Sequence, residues 1–149
     1  FEDVSAQSGA YFNEKYVGRG AAWADIDNDG DIDLLVVNLN DLPRLLRNDG
    51  ANARPWLMVD ARLKFPTGTR AAIGARVTVT AGGLRMMDGV NPVRGYLSQG
   101  DPRLHFGLAG APQADVEIRW PDGKVEKLAG VKANQVLKLE HPALVGKAQ

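Results

Sequence analysis

The sequence contains the nine-residue stretch Asp25-Ile26-Asp27-Asn28-Asp29-Gly30-Asp31-Ile32-Asp33, named the acidic loop below. Acidic residues occupy its positions 1, 3, 5, 7 and 9, and a glycine occupies position 6. Carboxylates placed this close together repel one another strongly unless a cation lies among them. Because Ca²⁺ takes about six to eight hard oxygen ligands in a flexible shell, a short aspartate-rich loop turned by a glycine predicts a calcium site. The alternative is a solvated turn without metal, which the repulsion between five carboxylates disfavours.

The residues on either side of the acidic loop predict β-strands rather than helices. The loop matches an EF-hand up to its glycine, but an EF-hand has a glutamate at position 12, where this chain has Val36. The loop follows Ala21-Ala22-Trp23-Ala24 and runs into Ile32-Asp33-Leu34-Leu35-Val36-Val37. The second segment is apolar, rich in branched side chains and of strand length. We therefore predict a calcium loop that joins two strands.

The acidic loop and its flanks resemble the FG-GAP (VCBS) repeat, the calcium-binding blade unit of integrin-type β-propellers. The matching blocks, in roughly the first third of the chain, are Phe1-Glu2-Asp3-Val4-Ser5, Gly18-Arg19-Gly20-Ala21-Ala22-Trp23-Ala24-Asp25, the acidic loop, Leu34-Leu35-Val36-Val37-Asn38 and Leu45-Leu46-Arg47-Asn48-Asp49-Gly50. The resemblance implies that Ca²⁺ is bound by the side chains of Asp25, Asp27, Asp29 and Asp33. It implies that Asp31 contributes its backbone carbonyl.

The remainder of the chain resembles the ASPIC/UnbV domain, which commonly follows FG-GAP repeats in secreted bacterial proteins and in the cartilage acidic proteins. The matching blocks are Trp56-Leu57-Met58-Val59, Ile73-Gly74-Ala75-Arg76-Val77, Arg94-Gly95-Tyr96-Leu97-Ser98-Gln99, Leu104-His105-Phe106-Gly107-Leu108, Val116-Glu117-Ile118-Arg119-Trp120-Pro121-Asp122-Gly123 and Asn134-Gln135. The chain departs from the family pattern at Ala72, where a glycine is usual, and over residues 86–92. The resemblance implies an architecture and carries no catalytic residues.

The composition excludes several classes of protein. Apolar residues make up 44% of the chain and charged residues 24%, which is typical of a globular protein. The formal net charge is 0, and because the acidic loop holds five of the 18 acidic residues, the rest of the chain carries a net charge of +5. That charge is too small and too scattered to indicate a nucleic-acid partner. The longest apolar runs are far below membrane-spanning length. The chain has no cysteine, which excludes disulfides, thiol catalysis and iron–sulfur clusters.

The calcium site and the first residue favour an extracellular location. Extracellular modules tolerate weak calcium sites, whereas free calcium in the cytosol is too low to fill them. The chain begins at Phe1 rather than at a methionine, which a cleaved signal peptide or a cut from a longer polypeptide would both explain. We expect a mature secreted protein, with the cell surface or the periplasm as alternative locations.

Short apolar segments separated by turn signals predict an all-β fold. The predicted strands cover residues 1–6, 21–25, 33–38, 44–48, 56–63, 75–81, 84–90, 96–98, 104–108, 115–120, 124–128 and 135–140. Alternation is clearest at residues 115–120, where Val116, Ile118 and Trp120 point inward. We expect an FG-GAP-type, blade-like sheet with the calcium loop in residues 1–52, packed on an antiparallel ASPIC/UnbV-like β-sandwich in residues 53–149.

Other residues capable of chemistry lack a supporting pattern. His105 lies within a predicted strand, where a partly buried structural histidine is expected rather than a catalytic one. His141 is near the end of the chain and is expected to be solvated. Arg94, Tyr96 and Gln99 are candidates for a ligand site, such as a sugar site, although a family core-and-turn signature explains them better.

We predict a calcium-binding structural or adhesive module and not an enzyme, because no nucleophile–base or paired-carboxylate arrangement is recognisable. Propellers need about four to eight blades, and the single blade found here leaves sheet edges open. Strand addition through residues 1–5 would give a homo-oligomer or a fibre, or would join another extracellular protein. The alternative is a carbohydrate- or protein-binding module cut from a propeller-containing chain, with Trp56 or Tyr96 exposed to a glycan.

Overall fold

A computed structural model of the chain describes residues 1–50, 54–95 and 98–142. The fold of these residues is all β, as the sequence predicts, and none of them forms an α-helix. Accordingly, no helix in the described ranges has the length and apolar character needed to cross a membrane. The strands are β1 (Gly18–Ala24), β2 (Asp33–Asn38), β3 (Arg44–Leu46), β4 (Trp56–Phe65), β5 (Gly68–Ala71), β6 (Arg76–Ala81), β7 (Leu84–Gly89), β8 (Val93–Gly95), β9 (Ser98–Gln99), β10 (Leu104–Gly107), β11 (Gln113–Arg119), β12 (Val125–Lys132) and β13 (Gln135–Pro142).

The first three strands form one antiparallel sheet in the order β1–β2–β3. Ala24 at the end of β1 pairs with Asp33 at the start of β2. The acidic loop is therefore the connection of a β-hairpin, which confirms the prediction of a loop between two strands. The four apolar residues of β2 are consecutive, so their side chains point to alternate faces of the sheet, and Leu34 and Val36 are less exposed than Leu35 and Val37.

The N-terminal segment corrects one prediction, because residues 1–6 form no strand. Two short 3₁₀ helices occupy Ser5–Gln7 and Ala10–Asn13 instead. Local side chains satisfy the backbone here: the Ser5 N–H donates to Asp3 Oδ1 (2.9 Å), and Ser8 Oγ donates to the Val4 carbonyl (2.9 Å). Such short-range hydrogen bonds compete with a sheet ladder, so the apolar pattern of this segment does not produce a strand.

The described residues between 56 and 142 form a β-sandwich from two main sheets. One sheet has the order β10–β4–β13, with β5 also paired to β4, and the other has the order β12–β11–β6–β7. Among the pairs in the described residues, β13 with β4 is parallel and the others are antiparallel. Strand β4 holds the first sheet together because it has neighbours on both sides.

The core lies between the two sheets and confirms the period-two prediction for β11. Val116 and Ile118 are fully buried, opposite Val79 and Val77 of β6. Burying each such side chain stabilises the fold by about 1.5–3 kcal/mol. The other buried core residues are Leu57, Val59, Ala61, Ala72, Ala75, Ala81, Val90, Leu104, Phe106, Leu108, Ala114, Trp120 and Leu139.

The position of His141 corrects a second prediction, because this side chain is buried rather than solvated. It lies two residues after the core residue Leu139 on β13, so both side chains point to the same face of the sheet. Its ring stacks on Trp120 with a centroid distance of 4.9 Å, and its Nε2 lies 3.0 Å from Asp122 Oδ2. The strand continues past residue 140, where the sequence predicts its end.

The acidic loop packs on the outer face of the β10–β4–β13 sheet. Leu57 and Val59 of β4 enter the core, so Trp56 and Met58 point to the opposite face. Trp56 contacts Gly30 of the loop, and His105 of β10 contacts the same glycine through a hydrogen bond. The predicted boundary at residues 52 and 53 lies outside the described residues.

Candidate metal centre

Three carboxylates of the acidic loop converge on one point. Asp25, Asp27 and Asp29 each offer an oxygen, and these oxygens lie within 4.8 Å of one another. Asp25 is buried, whereas the other two side chains are more exposed. Three like charges at this spacing are stable together only where a cation or several hydrogen-bond donors offset them.

Backbone N–H groups of the loop fix the orientation of these carboxylates. Asp25 Oδ1 accepts a hydrogen bond from the Asp29 N–H and Asp25 Oδ2 accepts one from the Gly30 N–H, both at 3.1 Å. Asp29 Oδ1 accepts the Asp31 N–H at 2.8 Å. The loop therefore folds around the first carboxylate, which leaves the remaining lone pairs of its oxygens for a further partner.

Asp33 lies apart from the three convergent residues and accepts hydrogen bonds from two separate backbone segments. It is 1% exposed, and its Oδ2 accepts the Ile26 N–H while its Oδ1 accepts the Asn48 N–H, at 3.0 and 2.8 Å. These bonds tie the start of the loop to the segment after β3. Asp31 is also buried. Asp31 and Asp33 lie outside the group of three convergent carboxylates.

Two cationic side chains, Arg47 and Arg103, lie near the acidic loop. Arg47 Nη1 lies 3.8 Å from Asp27 Oδ2, but this pair is exposed and its attraction is weak. In the described ranges, the carboxylates of Asp25 and Asp33 accept hydrogen bonds from backbone N–H groups and form no ion pair. Burying carboxylates in this way is costly, and a bound cation would offset the cost.

Gly30 is required by two independent features of the loop. Its φ of +101° lies in a region that L side chains rarely adopt. A Cβ built on this residue would lie 2.0 Å from Trp56 Cε2, far inside van der Waals contact. Trp56 cannot retreat easily, because its backbone N–H and carbonyl are both hydrogen-bonded to Asn134.

Two side chains of the sandwich hold the loop from outside, and the sequence reasoning did not find these contacts. Arg103 Nη1 donates to Asn28 Oδ1 (2.6 Å) and Nη2 donates to the Asp25 carbonyl (3.2 Å), while Nε donates to Asp101 Oδ2 (2.7 Å). The hydrogen bond with Asp101 raises the pKa of the Arg103 guanidinium above its ordinary value. His105 Nε2–H donates to the Gly30 carbonyl (2.8 Å) and so has a structural role, as expected.

The sequence contains only part of the signal for these two contacts. Arg103 and His105 alternate with the apolar residues Leu104 and Phe106, so the polar pair lies on the outer face of the strand segment. The alternation shows that the two side chains share a face. It gives no information on which distant loop covers that face.

The donor set fits a hard divalent cation such as Ca²⁺. All the convergent atoms are carboxylate oxygens, and Ca²⁺ prefers oxygen ligands in a flexible shell. Asp25, Asp27 and Asp29 would hold the ion, which would supply positive charge between them. The loop backbone is held in place independently of the ion by Arg103 and His105.

The candidate ligand site at Arg94, Tyr96 and Gln99 lies mostly outside the described residues. Tyr96 and the side chain of Arg94 lie outside the described residues, and Gln99 is exposed on β9. Trp56, the aromatic residue considered for glycan stacking, is buried under Gly30. It therefore presents no open ring to a sugar.

Comparison with known proteins gives relatives for most of this chain. Cartilage acidic protein 1 of Mus musculus is 33% identical over 131 residues, and the Homo sapiens protein of the same name is 34% identical over 132 residues. Each alignment covers 84% of this chain. The chain spans only about a fifth of the length of these curated relatives.

A protein family also matches the sandwich described above. Residues 66–145, more than half of the chain, match the family described as ASPIC and UnbV. This range contains β5 to β13 and most of the buried core. The chain therefore belongs to the ASPIC and UnbV family.

Proposed function

We propose that this chain is a calcium-stabilised structural or adhesive module of an extracellular protein. One observation carries the proposal: the three convergent carboxylates of Asp25, Asp27 and Asp29 lie in a loop that is anchored to the sandwich. An ion bound there would stabilise the loop and, through Arg103 and His105, the contact between the hairpin and the sandwich.

The hairpin is proposed to be an FG-GAP-type calcium unit. The strand–loop–strand arrangement and the glycine at loop position 6 support this assignment. We propose Asp25, Asp27, Asp29 and Asp33 as side-chain ligands and the backbone carbonyl of Asp31 as a further ligand. Both oxygens of Asp33 already accept a backbone N–H, so it would bind the ion through a remaining lone pair.

An extracellular location is proposed for two reasons. The relatives are named cartilage acidic protein 1, and cartilage consists largely of material outside cells. A short loop of this kind suits the millimolar calcium found outside cells, because weak extracellular sites are filled there.

The proposed adhesive role uses the β1–β2–β3 sheet. Leu35, Val37 and Leu45 share one face of this sheet and are each at least 40% exposed. Strand β1 has one neighbour among the described strands, so its outer edge is open. A second copy, or another extracellular protein, would add a strand to that edge and cover the apolar face. Head-to-tail repetition of such a contact would give a fibre.

The experiment that tests the proposal combines calcium titration with light scattering after size exclusion. We expect Ca²⁺ to raise the melting temperature and to increase the mass of the particle, and a chelator to reverse both effects. A melting temperature that does not respond to calcium would contradict the metal site. A monomer in both conditions would contradict self-assembly and leave the calcium site standing.

The second candidate is a protein-binding module of a longer chain, and the exposed apolar face favours it. The chain spans about a fifth of its relatives, so a segment outside the present sequence could cover Leu35, Val37 and Leu45. A glycan-binding role has weaker support because Trp56 is buried. We propose that the chain is not an enzyme, and a broad hydrolase screen would test this proposal.

A further inference from the structure

Two arginines lie directly opposite each other in the β12–β11–β6–β7 sheet. Arg76 of β6 pairs with Arg119 of β11, and both are exposed. Their neighbours Val77 and Ile118 are buried in the core, so the arginine side chains point to the outer face of the sheet. Like charges directly opposite each other destabilise a sheet. The arrangement is therefore expected to attract a negative charge.

The neighbouring acidic side chains do not supply that charge. Glu117 is on the same face of β11, and its Oε2 lies 3.0 Å from Lys127 Nζ. Asp122 is paired with His141 and Lys124 instead. Within residues 1–50, 54–95 and 98–142, neither Arg76 nor Arg119 forms an ion pair or a hydrogen bond through its side chain.

Both arginines line an open cleft of about 350 Å³. The other lining residues are Gly74, Trp120, Pro121 and Gly123. Among the described residues, no acidic side chain lines the cleft, and the space beside its two glycines is open. Pockets that hold small molecules begin at about 300 Å³, so the cleft has room for more than a bare inorganic ion.

We propose that this arginine cleft binds one oxyanion group, a carboxylate, sulfate or phosphate, of a small polar ligand. A guanidinium presents planar N–H donors that match an oxyanion through two parallel hydrogen bonds. Two guanidinium groups side by side would contact the anion from two directions, and the anion would offset the repulsion between them. Arg76 and Arg119 belong to the β12–β11–β6–β7 sheet, whereas the acidic loop packs on Trp56 and His105 of the other sheet, so this proposal is independent of the calcium site.

The test is a titration followed by ¹H–¹⁵N NMR at constant ionic strength, with sodium chloride as the reference salt. The probes are sulfate, acetate and glucuronate. We expect saturable shifts confined to residues 74–76 and 119–123. In Arg76→Gln and Arg119→Gln, binding should weaken about tenfold or more, because a hydrogen bond between charged groups is lost.

Arg85→Gln is the matched control. Arg85 is an exposed arginine of the same sheet, and it pairs with Thr80, four residues along β6 from Arg76, or about 13 Å. This variant should bind the probes as the wild type does. Tighter binding of glucuronate than of acetate would assign the oxyanion to a sugar acid, and equal binding would assign it to a free anion; either result supports the site.

Two results would overturn the proposal. One is the absence of saturable shifts with all three probes, or equal affinity in the wild type and in both cleft variants. The other is a melting temperature of both cleft variants well below that of the wild type without anion. That result would show that the arginines stabilise the fold itself and are not held free for a ligand.

Discussion

Replacing Gly30 by alanine should destabilise this protein through the contact between the acidic loop and Trp56. The new methyl group would occupy a residue with φ of +101°, which costs about 1–2 kcal/mol. It would also lie 2.0 Å from Trp56 Cε2, and overpacking of this kind costs about 1–3 kcal/mol. The sum is a loss of about 2–5 kcal/mol in the free energy of unfolding.

Gly110→Ala is the matched control for the backbone part of this cost. Gly110 has φ of +88°, and a Cβ there would meet no atom within 4 Å. Gly110→Ala should therefore lower the free energy of unfolding only by the cost of the backbone conformation, about 1–2 kcal/mol. Urea denaturation of the wild type, Gly30→Ala and Gly110→Ala measures the difference in their free energies of unfolding. A loss of 3 kcal/mol would lower the melting temperature by roughly 6–12 °C in a chain of this size.

A double-mutant cycle with Trp56→Ala separates the steric part. In that background the ring is absent, so Gly30→Ala should cost only its backbone part. The reasoning is refuted if Gly30→Ala is no more destabilising than Gly110→Ala. It is also refuted if its cost is the same with and without the Trp56 ring, since the loop would then not press on the sandwich.

Three further predictions concern the metal, the loop anchor and pH. Asp27→Ala should lower the melting temperature only with calcium present, because at a calcium concentration about 100-fold above Kd the bound ion contributes roughly 2.7 kcal/mol to the free energy of unfolding; an equal loss in chelator would contradict a metal role. Asp29→Ala should lower the melting temperature more with calcium than in chelator, where the hydrogen bond from the Asp31 N–H is lost but no bound ion. Arg103→Met should cost about 1–3 kcal/mol in urea denaturation, because Asn28 Oδ1 and the Asp25 carbonyl lose their donor, and an unchanged midpoint would argue against this anchor. The hydrogen bond from His141 lowers the pKa of Asp122 below its ordinary value of 3.8, so the stability it provides is present above about pH 4 and lost as the pH falls through the lowered pKa. Thermal melts of Asp122→Asn should therefore show a shallower decline on acidification than those of the wild type, and parallel pH profiles would contradict this linkage.

Much of the fold could be predicted because the relevant signals are local. The strand–loop–strand unit at residues 21–38 follows from the acidic loop and its apolar flanks. The alternation of Val116, Ile118 and Trp120 gives the buried face of β11 without any knowledge of its neighbours. The same reasoning wrongly predicted a strand at residues 1–6. There the side chains of Asp3 and Ser8 form local hydrogen bonds with backbone groups, and these outweigh the apolar pattern.

The sequence alone places the clustered carboxylates of the acidic loop and shows which faces of the strands are apolar, because spacing along the chain sets both. It does not establish which distant segments meet. The parallel pairing of β13 with β4 brings Leu139 into the core and, two residues on, buries His141 against Trp120. The positions of Arg103 and His105 under the acidic loop, some 75 residues away along the chain, are likewise a result of tertiary packing. Chain connectivity does not specify such contacts, since they form only when burial of the core has placed the two sheets and the hairpin against one another.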